Sequence, residues 1–287
     1  MKVCAITMVY RDYWALTQWY RHYGALLGPE HLYIVSHGFD PRYSDMCPGA
    51  NIITIPRDDL TGFDKVRGQM LNSFQDGLGQ IYDWVIRTDT DELICVDPEI
   101  APTLQDFLAR QTAPALFALG LNVIELPDDM TLGDANVFDT RKHCVFTGHY
   151  SKAFAVRDSV ALMRHGVQVR QPRVKRFPFV MPEGCYLAHL KFANSDALKE
   201  ANQHRMEIAA LPGKGMPGPA WEDAEDAATD FLARAEAMPF KPWEDGRAKA
   251  FEKLSSNPVR DQNDRLVRAR TVRFKFRTKL PDWFGAI

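Results

Sequence analysis

The stretch Tyr82-Asp83-Trp84-Val85-Ile86-Arg87-Thr88-Asp89-Thr90-Asp91-Glu92-Leu93 decides the reading of this chain. An apolar run, Trp84 to Ile86, leads into three carboxylates, Asp89, Asp91 and Glu92, and apolar residues resume at Leu93 and Ile94. The pattern predicts a buried strand whose exit carries an Asp-x-Asp pair. Alternate side chains of an extended segment share one side, which would bring Asp89 and Asp91 together. Carboxylates so placed repel each other unless a cation lies between them. Mg²⁺ and Mn²⁺ take oxygen ligands and accompany phosphates, so the expectation is a metal–diphosphate site. Asp-x-Asp alone is a weak motif. Its context strengthens it, because ligands bind beyond the carboxyl ends of central strands in α/β sheets. The competing reading is a solvated acidic turn.

Outward from this stretch, strand and helix signals alternate over the first ~120 residues, which predicts a largely parallel sheet with helices on its faces. Strands are expected at Val3 to Val9, Leu32 to Val35, Ile52 to Ile55 and Ala115 to Leu119. Between them, Leu16, Trp19, Tyr20 and Tyr23 mark a helix that Asp12 would cap. A second helix runs from Lys65 to Leu78, with Val66, Met70, Leu71, Phe74 and Leu78 on one face and Asn72 on the other. A short helix is expected at Thr103 to Arg110. Extended segments follow at Cys144 to Phe146, Lys152 to Val156 and Gly184 to Leu190, then helices at Ser195 to Ala210 and Trp221 to Met238. The Gly- and Pro-dense loop at 212–219 reads as a lid or as a passive connector.

The chain has 287 residues, 46% hydrophobic and 25% charged, with net charge −2, as in an ordinary globular protein. No run approaches the ~18 apolar residues of a spanning helix, and no signal peptide is read at the N-terminus. Cys4, Cys47, Cys95, Cys144 and Cys185 are widely spaced and odd in number, so neither structural zinc nor a disulfide framework is expected. They read as small buried hydrophobes in a reducing cytoplasm. Residues 241–287 carry 12 Lys/Arg against 6 Asp/Glu. Within them Val272, Phe274 and Phe276 alternate with Arg273, Lys275 and Arg277, giving one apolar and one cationic face. We therefore divide the chain into a domain at 1–240 and a basic extension at 241–287. That extension reads either as an edge strand kept soluble by charge or as a contact for an anionic surface at the inner membrane face. Nucleic acid is not an expected partner.

Other residues join the acidic turn as candidates. Arg67 lies on the apolar side of its helix and must find an anion, either a diphosphate or one of Asp58, Asp59 and Asp64. His189 in Tyr186-Leu187-Ala188-His189-Leu190-Lys191 offers a further metal ligand, with Lys191 to offset phosphate charge and His149 as a rival. If a hydroxyl acceptor is deprotonated, Glu125, Asp128 and Asp129 are candidate bases.

The chain resembles the family 2-like glycosyltransferases of GT-A fold, in their bacterial branch, over residues 3 to 205. The resemblance rests on Met8-Val9-Tyr10-Arg11-Asp12, on Trp19-Tyr20-Arg21-His22-Tyr23 and on Ser36-His37-Gly38-Phe39-Asp40. It extends to Arg67, Gln69 and Asn72, to Trp84 ahead of Asp89-Thr90-Asp91-Glu92-Leu93, and to His189-Leu190-Lys191. It implies a GT-A-like three-layer α/β/α sandwich with a mostly parallel central sheet. It further implies Mn²⁺ or Mg²⁺ held by Asp91, with Asp89 toward the metal or the ribose and His189 as a further ligand. Tyr10 and Asp12 would then help hold the nucleotide. Asp12 stands where an Asn-Glu pair is common, and His37 where an Asp is usual.

The expected function is a metal-dependent glycosyltransferase that moves a sugar from a nucleotide-diphosphate donor to a glycan or lipid-linked acceptor. Three rivals stand beside it. A nucleotidyltransferase would usually carry a Gly-rich loop after the first strand, and Met8 to Asp12 contains no Gly. A phosphatase with an Asp nucleophile would place Asp-x-Asp after the first strand. A non-catalytic glycan-binding module would keep the fold without needing the metal.

Overall fold

A computed structural model describes residues 1–133, 135–210 and 223–285, without the Phe63 side chain. The chain begins β1 (Val3–Val9), α1 (Tyr13–Leu27), β2 (Leu32–His37), α2 (Arg42–Met46), β3 (Asn51–Ile55), α3 (Phe63–Leu78), β4 (Trp84–Arg87) and β5 (Glu92–Val96). It continues α4 (Leu104–Ala109), β6 (Ala115–Phe117), β7 (Leu119–Ile124), α5 (Val137–Thr140), β8 (His143–Phe146) and β9 (Ala153–Val156). Then come β10 (Ala161–Met163), β11 (Gln168–Arg170), β12 (Cys185–Phe192), α6 (Ser195–Ala209), α7 (Ala224–Glu236) and α8 (Trp243–Leu254). The last strands are β13 (Val259–Asp261), β14 (Leu266–Arg268) and β15 (Thr278–Lys279).

The central sheet runs β3-β2-β1-β4-β9-β6. Its first four strands are parallel, and β9 is antiparallel to both β4 and β6. This is the mostly parallel α/β sheet expected from the alternation of signals. Every residue of β1 and β4 is buried, as central strands covered on both faces must be. A second sheet, β15-β8-β7-β12-β5, packs into the same core, and a third, β10-β11-β14-β13, is wholly antiparallel among its paired strands. The expected strand at Ala115 to Leu119 divides at Ala118. Its first part joins the central sheet and its continuation, β7, joins the second.

Two positions depart from the sequence pattern. Val66 of α3 is 57% exposed, whereas Gln75 is 2% exposed. Gln75 is buried because the β10 strand lies along α3. Gln75 donates to the Val160 carbonyl, and Asn72 bonds both the N–H and the carbonyl of Leu162. Amides therefore replace apolar residues where an incoming strand needs hydrogen-bond partners. Asp12 precedes α1 without a side-chain cap bond, and it lines a cleft with Asp91 instead.

Residues 241–287 contribute to the second and third sheets. Val267, Phe274, Phe276, Leu280 and Phe284 are buried in the main core. Arg273, Lys275 and Lys279 are exposed, so the alternation of apolar and cationic faces holds. All five cysteines are free and buried. Among the described residues no helix is long and apolar enough to cross a membrane. The 212–219 loop lies outside the described residues.

Candidate functional site

The acidic stretch is a tight turn between β4 and β5, not an extended segment. The Glu92 N–H donates to the Asp89 carbonyl at 3.1 Å, and the Asp89 N–H donates to Glu92 Oε2 at 3.0 Å. The turn, not strand alternation, gathers the carboxylates. One oxygen each from Asp89, Asp91 and Glu92 lie within 4.8 Å of one another.

The three carboxylates then divide in role. Glu92 is 0% exposed and forms an ion pair with Lys152 Nζ at 2.6 Å. Lys152, itself 1% exposed, also lies 3.6 Å from Asp89. Burial pushes Glu92 up to about 7 against the pull of Lys152. Burial opposes the Lys152 charge as well, but Glu92 and Asp89 outweigh it and hold Lys152 above its ordinary value. Glu92 is thus an internal brace beneath the turn.

Asp89 is gripped from the other side. Arg67 Nη2 donates to Oδ1 at 2.9 Å, and His165 Nδ1 stands 3.0 Å away. Burial favours the acid form of Asp89, yet His165, Lys152 and Arg67 together hold it well below the usual carboxylate range. The anion that Arg67 was expected to need is therefore Asp89 of the motif itself, rather than Asp58, Asp59 or Asp64.

Asp91 has a different neighbour. Its Oδ2 lies 3.2 Å from His189 Nε2, and His189 Nδ1 lies 2.8 Å from Asn122 Oδ1. An amide oxygen only accepts, so Nδ1 carries the hydrogen and Nε2 is the nitrogen turned to Asp91. Burial lowers the His189 pKa against the pull of Asp91. In the neutral ring a lone pair and a carboxylate oxygen face each other, and either a proton on Nε2 or a metal ion reconciles them. Carboxylate oxygen and imidazole nitrogen suit Mn²⁺ among the divalent ions considered. Tyr150 stacks on the imidazole at 3.5 Å between ring centres, and with Asn122 it fixes the ring plane. The donor set fits the metal that the sequence implied.

A cleft of about 270 Å³ opens beside Asp91, and its walls include Asp12, Trp14, Lys191 and Arg205. Burial, with Asp91 nearby, pushes Asp12 up to about 7. Burial and the Arg205 charge draw Lys191 down to about 8. Tyr10 lies away from these contacts, its ring under the Arg57 guanidinium at 3.5 Å and edge-on to His204.

The candidate bases do not gather here. Both Glu125 oxygens are engaged, one by the buried Arg141 at 2.5 Å and the other by the Ser195 N–H at 2.7 Å and its hydroxyl. Asp129 accepts from the Leu126 N–H, and Asp128 is exposed. His149, the rival of His189, is exposed. Sequence reasoning passed over Lys152, His165 and Asn122. Asn122 did carry a signal, as a single polar residue in an otherwise apolar run, whereas Lys152 follows the polar Ser151 at the edge of its strand. His165 sits in a turn and carried none.

No family model matches the chain, so the glycosyltransferase resemblance has no such support. No curated protein matches it either. Among solved structures, a CMP:2-keto-3-deoxy-manno-octonic acid synthetase complexed with CTP is 13% identical, covering 81% of this chain and 87% of its own, with a TM-score of 0.29. A mannose-1-phosphate geranyltransferase from Thermus thermophilus is 12% identical, covering 99% of this chain and 76% of its own, with a TM-score of 0.27. At such scores neither likeness bears on the details of the site.

Proposed function

We propose that this chain is a divalent-metal-dependent transferase acting on a nucleotide-linked sugar, and that it moves the sugar to a hydroxyl acceptor on a glycan or lipid-linked carrier. The observation that carries the reading is the Asp91–His189 pair, whose Oδ2 and Nε2 converge at 3.2 Å while Asn122 engages Nδ1. Asp91 and His189 would hold Mn²⁺ or Mg²⁺, and a bound ion would supply charge stabilisation to a departing diphosphate. Asp89, pinned by Arg67 and His165, would remain an ionised acceptor for donor hydroxyls. Lys191 and Arg205 would meet negative charge in the cleft beside Asp91. Asp12, on the wall of the same cleft, is a better placed proton acceptor than Glu125, whose oxygens are occupied. The exposed cations of 265–279 would face an anionic acceptor surface.

Nucleotidyl transfer is the second reading, and a synthetase bound to CTP is among the matched structures. The same metal pair and cationic cleft would serve a nucleoside triphosphate. The short Gly-free link between β1 and α1, residues Tyr10 to Asp12, favours glycosyl transfer. One experiment separates them. The protein is incubated with Mn²⁺ and either nucleotide-diphosphate sugars, with water standing in for the acceptor hydroxyl, or a nucleoside triphosphate with a sugar 1-phosphate. Release of nucleoside diphosphate from the first mixture supports the proposal. Release of pyrophosphate from the second alone replaces it.

A further inference from the structure

A second cleft, of about 340 Å³, lies on the other side of the acidic turn and shares no lining residue with the cleft beside Asp91. Its walls are Asp64, Arg67, Gly68 and Leu71 of α3, Arg87 and Thr88 at the end of β4, Asp89, and His165. Arg87 is 6% exposed. Its Nη1 donates to Asn72 Oδ1 at 2.7 Å, and no carboxylate oxygen lies within 4.0 Å of it among the described residues. A buried guanidinium normally has a carboxylate or phosphate partner, because leaving water unpaired is costly. Arg67 adds to the demand, since its Nε is buried and makes no hydrogen bond. Around the turn four basic side chains (Arg67, Arg87, Lys152 and His165) meet four acidic ones (Asp64, Asp89, Asp91 and Glu92), and of the four bases Arg87 alone makes no ion pair among the described residues.

The wall bearing His165 is built to hold its place. Arg164 and His165 adopt left-handed backbone, with φ of 46° and 55°, a conformation uncommon outside glycine. The tip is fixed where the Ala153 N–H donates to the Gly166 carbonyl at 3.0 Å, and a Cβ on Gly166 would meet the Ala153 carbonyl oxygen at 2.4 Å. Strand β10 is tied to α3 through Asn72 and Gln75, and β11 is paired to β14 from the C-terminal region. The left-handed residues form the turn that joins antiparallel β10 and β11, and these contacts hold His165 at the cleft.

We propose that this cleft is an oxyanion site, in which Arg87, with Arg67 and His165, binds a phosphoryl or carboxylate group without a metal ion. The site stands apart from the Asp91–His189 pair and does not depend on it. Guanidinium forks take carboxylate and phosphate alike, but a phosphoryl group offers three oxygens to two guanidinium groups where a carboxylate offers two.

The test is calorimetric titration of the protein in excess EDTA with inorganic phosphate, pyrophosphate and acetate, separately. Saturable binding of phosphate or pyrophosphate is expected, weakened roughly tenfold or more in Arg87→Gln. Acetate binding in place of phosphate would assign a carboxylate ligand and keep the site. His165→Asn, at a partly exposed position, is the companion variant should Arg87→Gln fail to fold, and it too should weaken binding. Absence of saturable binding in wild type, or binding unchanged by both variants, would overturn the proposal. An Asp91→Asn variant that loses metal-dependent nucleotide binding yet keeps EDTA-resistant phosphate binding would show the two sites to be separate.

Discussion

Replacing Lys152 by Met removes a cation that is 1% exposed and whose Nζ lies 2.6 Å from Glu92 and 3.6 Å from Asp89. Glu92, at 0% exposure, would keep only the Asp89 N–H as a partner for its charge. Breaking a buried pair by removing one member costs about 3–5 kcal/mol. For a chain of this size that corresponds to a fall in Tm of roughly 6–20 °C. Glu92→Gln keeps the shape and leaves Lys152 with Asp89, so it costs less, about 1–3 kcal/mol. The double variant removes both charges, and its loss should be about 2 kcal/mol smaller than the sum of the single losses. The pH dependence has a fixed sign. Glu92 is raised in the folded state, from 4.5 to about 7, and losing Lys152 raises it further. Stability linked to such a group is present below its unfolded value and is lost as pH rises through the folded one. The deficit of Lys152→Met should therefore be smaller at pH 4.5 and grow as pH rises above about 7, so that it is larger at pH 8. The assay is urea unfolding of the four proteins at both pH values. A single-variant loss below about 1 kcal/mol at pH 8, or additive losses, would refute the reasoning.

Three further outcomes are expected. Asp12→Asn should stabilise the EDTA-treated protein at pH 8 by at most about 4 kcal/mol, because raising Asp12 from 3.8 to about 7 makes its ionisation unfavourable to the fold. Near pH 4 the gain should vanish, and thermal melts at the two pH values check the sign. Phe276→Ala should cost about 3–5 kcal/mol in urea unfolding, since Phe276 is 3% exposed in the main core, whereas Lys275→Ala at an exposed position should stay within about 0.5 kcal/mol. Gly120→Ala should fail to accumulate as folded protein, because its Cβ would lie 2.2 Å from the Tyr150 carbonyl carbon; a normal circular dichroism spectrum and melt would contradict this.

The central sheet was legible because β1, β2 and β4 are apolar segments whose length and spacing leave little choice, and the helices between them carry clear periodicity. The acidic turn was legible for the same reason, since three carboxylates directly after a buried strand stand out. Its geometry was not. Strand alternation and a β-turn both bring Asp89 and Asp91 together, and only the Glu92-to-Asp89 hydrogen bond distinguishes them. Partners distant in sequence were the least legible. Lys152 reaches Glu92 from far along the chain, and His165 reaches Asp89 from a turn with no periodic signal. The apolar face of α3 holds at Met70, Leu71, Phe74 and Leu78, and the burial of Gln75 has the same origin. A polar residue became interior because β10, far along the chain, brought unpaired backbone groups to it.

The central claim is that Asp91 and His189 form a metal site that serves nucleotide binding. The most direct measurement is calorimetric titration of UDP and GDP, with Mn²⁺ and with EDTA, into wild type, Asp91→Asn, His189→Gln and Glu92→Gln. The account predicts Mn²⁺-dependent binding of one nucleotide by wild type and by folded Glu92→Gln, and its loss in the Asp91 and His189 variants. Binding that is indifferent to Mn²⁺, or that survives both of those substitutions, would contradict it.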